Sequence, residues 1–436
     1  MNRILPAICC LLFVQTAFAG NGQIVPKANA VPGRYIVTVN AAYDIDTVRA
    51  YAAQLGGTVT DVWYYAVFGF AMQSSTQVAT TLSQDSRVTA VEQDDAGDSP
   101  GVCPITQHYP SGTCADGSIP WQLDAMDSSE GTTPNGYQGI NHLDGGYTYH
   151  YTGSGVRIYS IDSGIHDHAD ISGRLVSGVS LVYDGHGTDD LTGHGTTCAS
   201  IAAGTKMGPA KNAELIAVRA WDNVTSASAL ITALNWVATD IMTRSGSFRA
   251  VVLIEAQLGA SNAIDTAARK VAQMAVVVTA AGNFAQDSCQ LSPQRIPEVI
   301  VAAAVQRTGA YETDKYAIAP FSGAGACVAL LAPGVAVGGA HWIYGDYNCN
   351  PGTDGTSPAT ALTAGMAALY LERYPDSSNA QIKQLMLANA SNEHIAGNLR
   401  GAPSLFVQRP PSDYVTTPEN CMPCQYRPNG CNVVGQ

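Results

Sequence analysis

The sequence predicts an α/β protein in which a mostly parallel sheet carries helices on both faces, preceded by a small α+β domain. Short β-branched runs alternate with helical stretches from about residue 121 to 408. Such continuous apolar strands with helical crossovers are typical of a parallel sheet that is buried on both faces. Residues 32–95 have a different order, strand-helix-strand-strand-helix-strand, which is the split βαβ or ferredoxin-like arrangement. Residues 96–120 are rich in Pro and Gly and lack an apolar period, so they predict an exposed boundary.

In the first domain, the spacing of apolar and polar residues and the positions of turn residues predict the strands and helices. We expect strands at 33–39, 58–65, 66–73 and 87–94 and helices at 44–56 and 75–84. In the larger domain, longer apolar runs predict the strands. Its expected strands are 156–162, 214–220, 250–257, 275–282 and 298–305, and two of its expected helices are 228–242 and 263–273.

The N-terminus predicts a secreted protein. Residues 1–19 contain Arg3, an apolar centre at 4–14, and the small residues Ala17 and Ala19, as in a signal peptide cleaved after residue 19. The apolar centre is too short to span a bilayer. We therefore divide the chain into a signal peptide (1–19), an N-terminal domain (20–100), a linker (101–120), the α/β domain (121–408) and a Cys/Pro-rich tail (409–436).

Composition limits the partners. The 436 residues are 46% hydrophobic and only 13% charged, which suits a compact protein. The net charge of −13 excludes nucleic acid and anionic membranes as main partners. Of eleven cysteines, Cys9 and Cys10 fall in the signal peptide, which leaves an odd number for an oxidising compartment. Cys103 and Cys114 are close enough in sequence to close a small loop.

Four residues of the α/β domain could carry chemistry. Asp162 ends the strand "VRIYSID", Asn283 follows the strand in "VVVTAAGN", His194 begins a small-residue helix in "TGHGTTCAS", and Ser357 begins the run "GTSPATALTAGMAAL". Each alone is more often a turn residue or helix cap, and Ser-Pro is a favoured helix start. Together they supply a nucleophile, a base, a carboxylate to orient the base, and an amide to stabilise an oxyanion.

The order Asp, His, Ser is one of the three known orders of a hydrolytic triad. With the stretches "VRIYSIDSGI", "TGHGTTCAS", "LGA", "TAAGN" and "GTSPATALTAGMAALYLE", the sequence resembles the subtilases, serine proteases, in their proteinase K and aqualysin branch. The resemblance covers residues 121–408 and implies a subtilisin-like fold. The unit at 32–95 resembles the inhibitory propeptide of the family.

The resemblance implies a role for each residue. Asp162 would orient the imidazole, His194 would act as general base and then acid, and Ser357 would form the acyl-enzyme. The Asn283 side chain and the Ser357 backbone N–H would form the oxyanion hole. Substrate would bind between two backbone segments, Gln257-Leu258-Gly259 and Ala280-Ala281-Gly282. The expected partners are polypeptide substrates and the chain's own propeptide, and we expect a monomer.

The resemblance also bears on cysteines and metals. It implies that Cys198 is the odd thiol and that Cys289 pairs with Cys327; Cys349, Cys421, Cys424 and Cys431 stay unassigned. No cofactor is expected, and no catalytic metal. Structural calcium is an open expectation, because a position that supplies an Asp ligand in the family is Ala329 here.

Several positions depart from the family pattern and leave alternatives open. They are Thr197 after "HGT", Pro358 after "GTS", Ala361 and Leu362 in the same helix, Gln257 at the pocket wall, and a shorter segment at 221–228 beside the cleft. These changes keep a second hypothesis open, an inactive subtilase that acts as a binding protein. A third, a metal hydrolase, would use the His/Asp clusters at 166–170 and 184–190, although such clusters are more often solvated polar surface and match no zinc signature.

Overall fold

The computed structural model describes residues 22–27, 30–98, 120–127, 147, 149–308, 316–342, 346–391 and 395–411. The signal peptide, Cys103, Cys114, nearly all of the expected linker and the tail beyond 411 lie outside these residues. The predictions made for them stay predictions. Within the described residues, no helix combines the length and the hydropathy that a membrane span requires.

The N-terminal unit has the predicted split βαβ order. Its elements are β1 (Ile24–Val25), β2 (Ala30–Val39), α1 (Ile45–Gln54), β3 (Thr58–Trp63), β4 (Gly69–Gln73), α2 (Thr76–Ser83) and β5 (Val88–Asp98). The strands pair in the order β1-β5-β2-β4-β3. Asp44 and Ser75 begin the two helices, because their side chains accept hydrogen bonds from N–H groups of the first turn. One face of this sheet and both helices enclose a core of their own, which includes Val48, Phe70 and Leu82.

The α/β domain is larger and begins near Trp121. Its helices are α3 (Trp121–Asp127), α4 (His194–Ala203), α5 (Ala227–Thr243), α6 (Asn262–Ala272), α7 (Thr356–Arg373) and α8 (Asn379–Ala388). Its main sheet contains β6 (Val156–Asp162), β7 (Leu175–Ser180), β8 (Glu214–Arg219), β10 (Arg249–Ile254), β12 (Val276–Ala280), β14 (Ile300–Arg307), β15 (Tyr316–Ile318), β16 (Val328–Pro333) and β19 (Ile395–Ala396). Short strands outside it are β9 (Val224–Ser226), β11 (Leu258–Gly259), β13 (Leu291–Ser292), β17 (Val337–His341) and β18 (Asp346–Thr353).

The main sheet is mostly parallel, as the sequence predicts. Its order is β19-β15-β14-β12-β10-β6-β8-β7, with β16 also paired to β14, and the β14–β15 pair is antiparallel. Successive residues of β6 point to opposite faces of the sheet, and their contacts show that helices cover both faces. The Tyr159 hydroxyl donates to Asp240 of α5, whereas Asp162, which points to the opposite face, contacts His194 of α4. The fold is therefore α/β with helices on both faces.

Strand ends fall earlier than the sequence suggests in two places that matter for the site. The strand expected at 250–257 ends at Ile254, and the strand expected at 275–282 ends at Ala280. Ser357 is not the helix cap either. Gly355 occupies the N-cap position of α7, and Thr356 is its first helical residue. In β10 and β12 the apolar pattern continues past the end of the strand, because the chain leaves the sheet at its carboxyl edge while its side chains stay buried.

The two units contact each other through the C-terminal half of β5. Ala96, Gly97 and Asp98 pair antiparallel with β9, and β5 also contacts β11. This pairing explains why β5 runs beyond the residue 94 at which the sequence pattern ends. A strand from the N-terminal unit thus lies along the edge of the α/β domain, between the segments 224–226 and 258–259.

Candidate active site

The carboxyl edge of the main sheet gathers most of the predicted site residues. Asp162 is the last residue of β6, and Asn283 lies in the turn after β12. His194 and Ser357 lie in the first turns of α4 and α7, two helices that pack against each other. Parallel strands all end at this edge, which is where ligands bind in open α/β sheets.

Asp162, His194 and Ser357 form one chain of hydrogen bonds. His194 Nδ1 is 2.8 Å from Asp162 Oδ1 and 2.9 Å from Oδ2, and His194 Nε2 is 3.2 Å from Ser357 Oγ. A carboxylate only accepts hydrogen bonds, so Nδ1 carries a proton, and in the neutral ring the unprotonated Nε2 accepts from the serine hydroxyl. All three side chains are buried. The arrangement can move a proton from Ser357 to His194.

The loop before α4 fixes the position of His194. Gly193, at the N-cap, has φ 89°, and a Cβ at this position would collide with the Trp342 ring. Asp190 anchors the same loop: its carboxylate accepts hydrogen bonds from the backbone N–H groups of Gly193 and Thr196 and from the Ser163 hydroxyl. Position 193 therefore requires glycine, because its positive φ disfavours a side chain and the Trp342 ring leaves no room for one.

Ser357 lies in the first turn of α7. Gly355 precedes the helix with φ 152°, a conformation that L side chains rarely adopt. The first N–H groups of a helix have no partner within it, and the helix dipole favours negative charge at this end. The Ser357 backbone N–H is therefore available to a developing oxyanion.

Asn283 is oriented by its neighbours. Its Oδ1 accepts hydrogen bonds from the Thr356 backbone N–H at 2.8 Å and from Thr356 Oγ1 at 2.9 Å. Because the carbonyl end of the amide is held in this way, the Nδ2 group is left to donate to another acceptor. Thr356 was not singled out by the sequence, because its role requires a partner 73 residues away.

The two predicted pocket segments lie side by side. Gln257 Oε1 accepts a hydrogen bond from the Asn283 backbone N–H at 3.0 Å, and the buried Gln294 amide donates to both Ala256 O and Ala280 O. Leu258 and Gly259 form β11, which pairs with β13. The remaining wall residues, Ala280, Ala281 and Gly282, are buried. The structure thus places all six predicted pocket residues in two adjoining segments.

The local electrostatics favour a protonated imidazole. Burial lowers the pKa of His194, but the facing Asp162 carboxylate, with smaller contributions from Glu255 and Asp190, outweighs burial and raises the pKa to about 9. His194 accepts a proton only when it is neutral. The site therefore becomes able to act as a base as the pH rises toward alkaline values.

Comparisons with known proteins agree with this geometry. The model of the subtilase family, Peptidase_S8, matches residues 153–405. The chain belongs to the subtilase family. It is 32% identical over 407 residues to an extracellular serine proteinase of a Thermus species, an alignment covering 87% of this chain and 90% of the relative. It is also 32% identical to the alkaline serine exoprotease A of Vibrio alginolyticus, over 76% of this chain and 57% of the relative.

A solved structure supports the same assignment. The crystal structure of a cold adapted subtilisin-like serine proteinase matches with a TM-score of 0.56 and 28% identity, covering 68% of this chain and all of that chain. The subtilisin-like fold is thereby confirmed, and the family membership makes this chain a serine-type endopeptidase. Subtilases need no catalytic cofactor, and structural calcium is common among them.

The three cysteines of the subtilase domain whose side chains the structure describes are arranged as the family resemblance implies. Cys289 and Cys327 form a disulfide. Cys198 is a buried thiol whose Sγ lies 3.9 Å from both ring nitrogens of His194. The other four unassigned cysteines have no described side chains.

The His/Asp clusters behind the metal-hydrolase hypothesis have other partners. Asp184 pairs with Arg219, His166 pairs with Asp189, and Asp190 anchors the loop before His194. Among the described residues, no set of three closely spaced ligating atoms includes a member of 166–170 or 184–190. The metal-hydrolase hypothesis has no support in this geometry.

Proposed function

We propose that this subtilase is a secreted serine endopeptidase, made as a zymogen, in which Asp162, His194 and Ser357 are the catalytic triad. The observation that carries the proposal is the continuous hydrogen-bond chain from Asp162 through His194 to Ser357 Oγ. The buried, intact chain also argues against the inactive binding protein, because the unusual residues Thr197, Pro358 and Gln257 leave these contacts unbroken.

Hydrolysis follows from the geometry in two stages. Ser357 Oγ attacks the peptide carbonyl as its proton passes to His194 Nε2, and the carbonyl electron pair moves onto oxygen. The Asn283 amide and the Ser357 backbone N–H stabilise this oxyanion, while Asp162 stabilises the imidazolium. The oxyanion then collapses to a carbonyl, the C–N bond breaks, and the imidazolium gives its proton to the leaving amine, which leaves the acyl-enzyme. Water, activated by the neutral His194, hydrolyses the acyl-enzyme by the reverse sequence.

An extended polypeptide fits the cleft edge. The backbone of β9 and the neighbouring β11 already pair with or contact a strand of the same chain, β5. A substrate strand would use the same backbone edges, which is strand addition to an exposed sheet edge. The segments Gln257–Gly259 and Ala280–Gly282 would take the side chain next to the scissile bond, and their small residues leave room for an apolar group.

The N-terminal unit has the features of an inhibitory propeptide. Its buried Glu92 accepts hydrogen bonds from the Ala263 backbone N–H and from Ser261 at the start of α6. Its buried Asp94 accepts hydrogen bonds from the backbone N–H and the hydroxyl of Ser228 at the start of α5. Carboxylates are favoured at helix N-termini. The unit would therefore block the cleft until the chain is cut between about residues 95 and 120.

Two further points complete the proposal. The Thermus relative named as extracellular and the pattern of residues 1–19 support secretion, and we expect a monomer. Calcium does not fit the position where the family supplies an Asp, because Ala329 is buried in β16 and offers no side-chain oxygen as a ligand.

Ser357→Ala tests the zymogen proposal. The variant lacks the nucleophile, so it should accumulate as full-length proprotein in a host without other proteases, whereas the wild type is trimmed. Mass spectrometry of the purified chains gives their N-termini. Ser247→Ala, which changes an exposed serine, is the matched control and should be trimmed normally. Efficient trimming of Ser357→Ala would show that maturation is not autocatalytic.

A further inference from the structure

Glu255 is a second buried acid at the carboxyl edge, beside Asp162. In the parallel pair of β10 and β6, Ile254 lies opposite Ile161, and the Glu255 backbone N–H donates to Ile161 O. Residues at the same level of neighbouring parallel strands point to the same face of a sheet. Glu255 therefore shares with Asp162 the face on which His194 lies.

The carboxyl of Glu255 lacks the partners that buried acids normally have. The residue is 0% exposed, and neither carboxylate oxygen has a donor in full hydrogen-bonding geometry, although the Ser357 hydroxyl lies close enough to lower the pKa of the carboxyl. Buried polar groups are almost always hydrogen-bonded, and exceptions are concentrated where a group has a functional role. By contrast, the buried acids Asp162, Asp190 and Glu92 all have donors.

The groups that face Glu255 belong to the site. They are His194 on α4, Asp162 on β6 and Ser357 on α7; Asp190 adds to the negative charge that acts on His194. Burial, reinforced by the Asp162 carboxylate, raises the pKa of Glu255 well above its ordinary value, while His194 and Ser357 oppose this. The Glu255 carboxyl and the His194 imidazole thus influence each other's protonation in a buried volume.

We propose that Glu255 is a positioning residue that acts through His194 and determines the pH at which the imidazole becomes available as a base. The inference rests on the proposed function, since it assumes that His194 is the general base. It does not require Glu255 to touch the substrate.

At low pH both His194 and Glu255 are protonated, and Nε2 cannot accept. After one proton leaves, the remaining proton is divided between the two residues, and only the form with neutral His194 is active. A further loss leaves both residues deprotonated. Coupled sites of this kind titrate as a pair. Without the Glu255 acid, a single deprotonation would free His194 completely.

The test is the pH profile of kcat/KM for mature wild type and Glu255→Gln with an uncharged peptide substrate. Glutamine has the same shape and cannot ionise. We expect the midpoint of the acid limb to fall by about one pH unit, so that relative activity is about fivefold higher between the two midpoints and unchanged at lower pH, where Glu255 is protonated and uncharged. An unchanged midpoint in Glu255→Gln would overturn the inference.

Controls separate charge from structure. Glu298→Gln removes an exposed acid that pairs with Arg269 far from the site, and it should leave the profile unchanged. Glu255→Asp restores an acid and should return the midpoint toward the wild-type value. If Glu255→Gln folds poorly, Glu255→Met also removes the ionisable group and gives the same comparison, with the pH dependence of inactivation by a fluorophosphonate as the second measurement. A midpoint that moves equally in Glu298→Gln would contradict a local effect.

The outcome also distinguishes this inference from the proposed function. A wild type that hydrolyses peptide and reacts at Ser357, with a profile that Glu255→Gln does not alter, refutes only the role of Glu255. A wild type that does neither refutes the triad itself.

Discussion

Replacing His194 by alanine is expected to lower kcat by about 10⁶-fold, the size of the loss caused by the equivalent change in another subtilase. His194 is the only described group whose nitrogen lies within hydrogen-bonding distance of Ser357 Oγ, at 3.2 Å. Without it the serine hydroxyl loses the imidazole that receives its proton. Steady-state hydrolysis of a chromogenic peptide measures the loss, with KM expected to change little because His194 does not form the pocket walls.

The chain offers a matched control for this substitution. His166 also pairs with an aspartate, Asp189, with an Nδ1–Oδ1 distance of 2.8 Å, but both side chains are nearly half exposed. His166→Ala removes the same chemical group from a similar pair outside the serine site. It should keep kcat within about twofold, as surface pairs contribute little. A His194→Ala variant that retains more than a small percentage of activity would rule out His194 as the base.

Replacing Asp162 by asparagine is expected to lower kcat by about 10⁴-fold, as it does in the serine protease where this change was first measured. Asp162 is fully buried and contacts Nδ1 through both oxygens. Asparagine keeps the shape but can present an N–H group to Nδ1. The imidazole would then carry its proton on Nε2, where it can no longer accept from Ser357.

The same assay measures the Asp162 variant, with Asp189→Asn as its control. Asp189 faces the exposed His166, so this change alters an Asp–His pair without touching Ser357. We expect near wild-type activity for it. If Asp162→Asn kept full activity at neutral pH, the tautomer of His194 would not depend on Asp162, and the roles assigned to the pair would be wrong.

The sequence predicts the fold well because the core pattern is local. Strand 156–162 and the split βαβ order can be identified from apolar periodicity, and the positions of Asp162 and Asn283 at strand ends point directly to the carboxyl edge. The triad needed more than local pattern, since His194 and Ser357 are 163 residues apart in the chain. Their order along the chain and the resemblance to the family supplied this link.

The residues that the sequence did not reveal depend on distant partners. Glu255 lies in the apolar run "AVVLIEAQ" and resembles a strand residue until the strand is seen to end at Ile254. Asp190 was grouped with polar surface, although it is 1% exposed and anchors the loop before His194. Glu92 and Asp94 are buried only because helices of the other unit begin beside them. No periodicity within 92–94 or 184–190 carries that information.

The most direct test of the whole account is the site of covalent labelling by a fluorophosphonate, mapped by mass spectrometry of the digested mature enzyme. The reagent reacts with a serine only when a neighbouring base activates its hydroxyl. We expect a single adduct on Ser357, formed faster as the pH rises and absent in His194→Ala and Ser357→Ala when both variants have been trimmed to the mature form by an added protease. An adduct on another residue, or labelling of Ser357 that persists without His194, would contradict it.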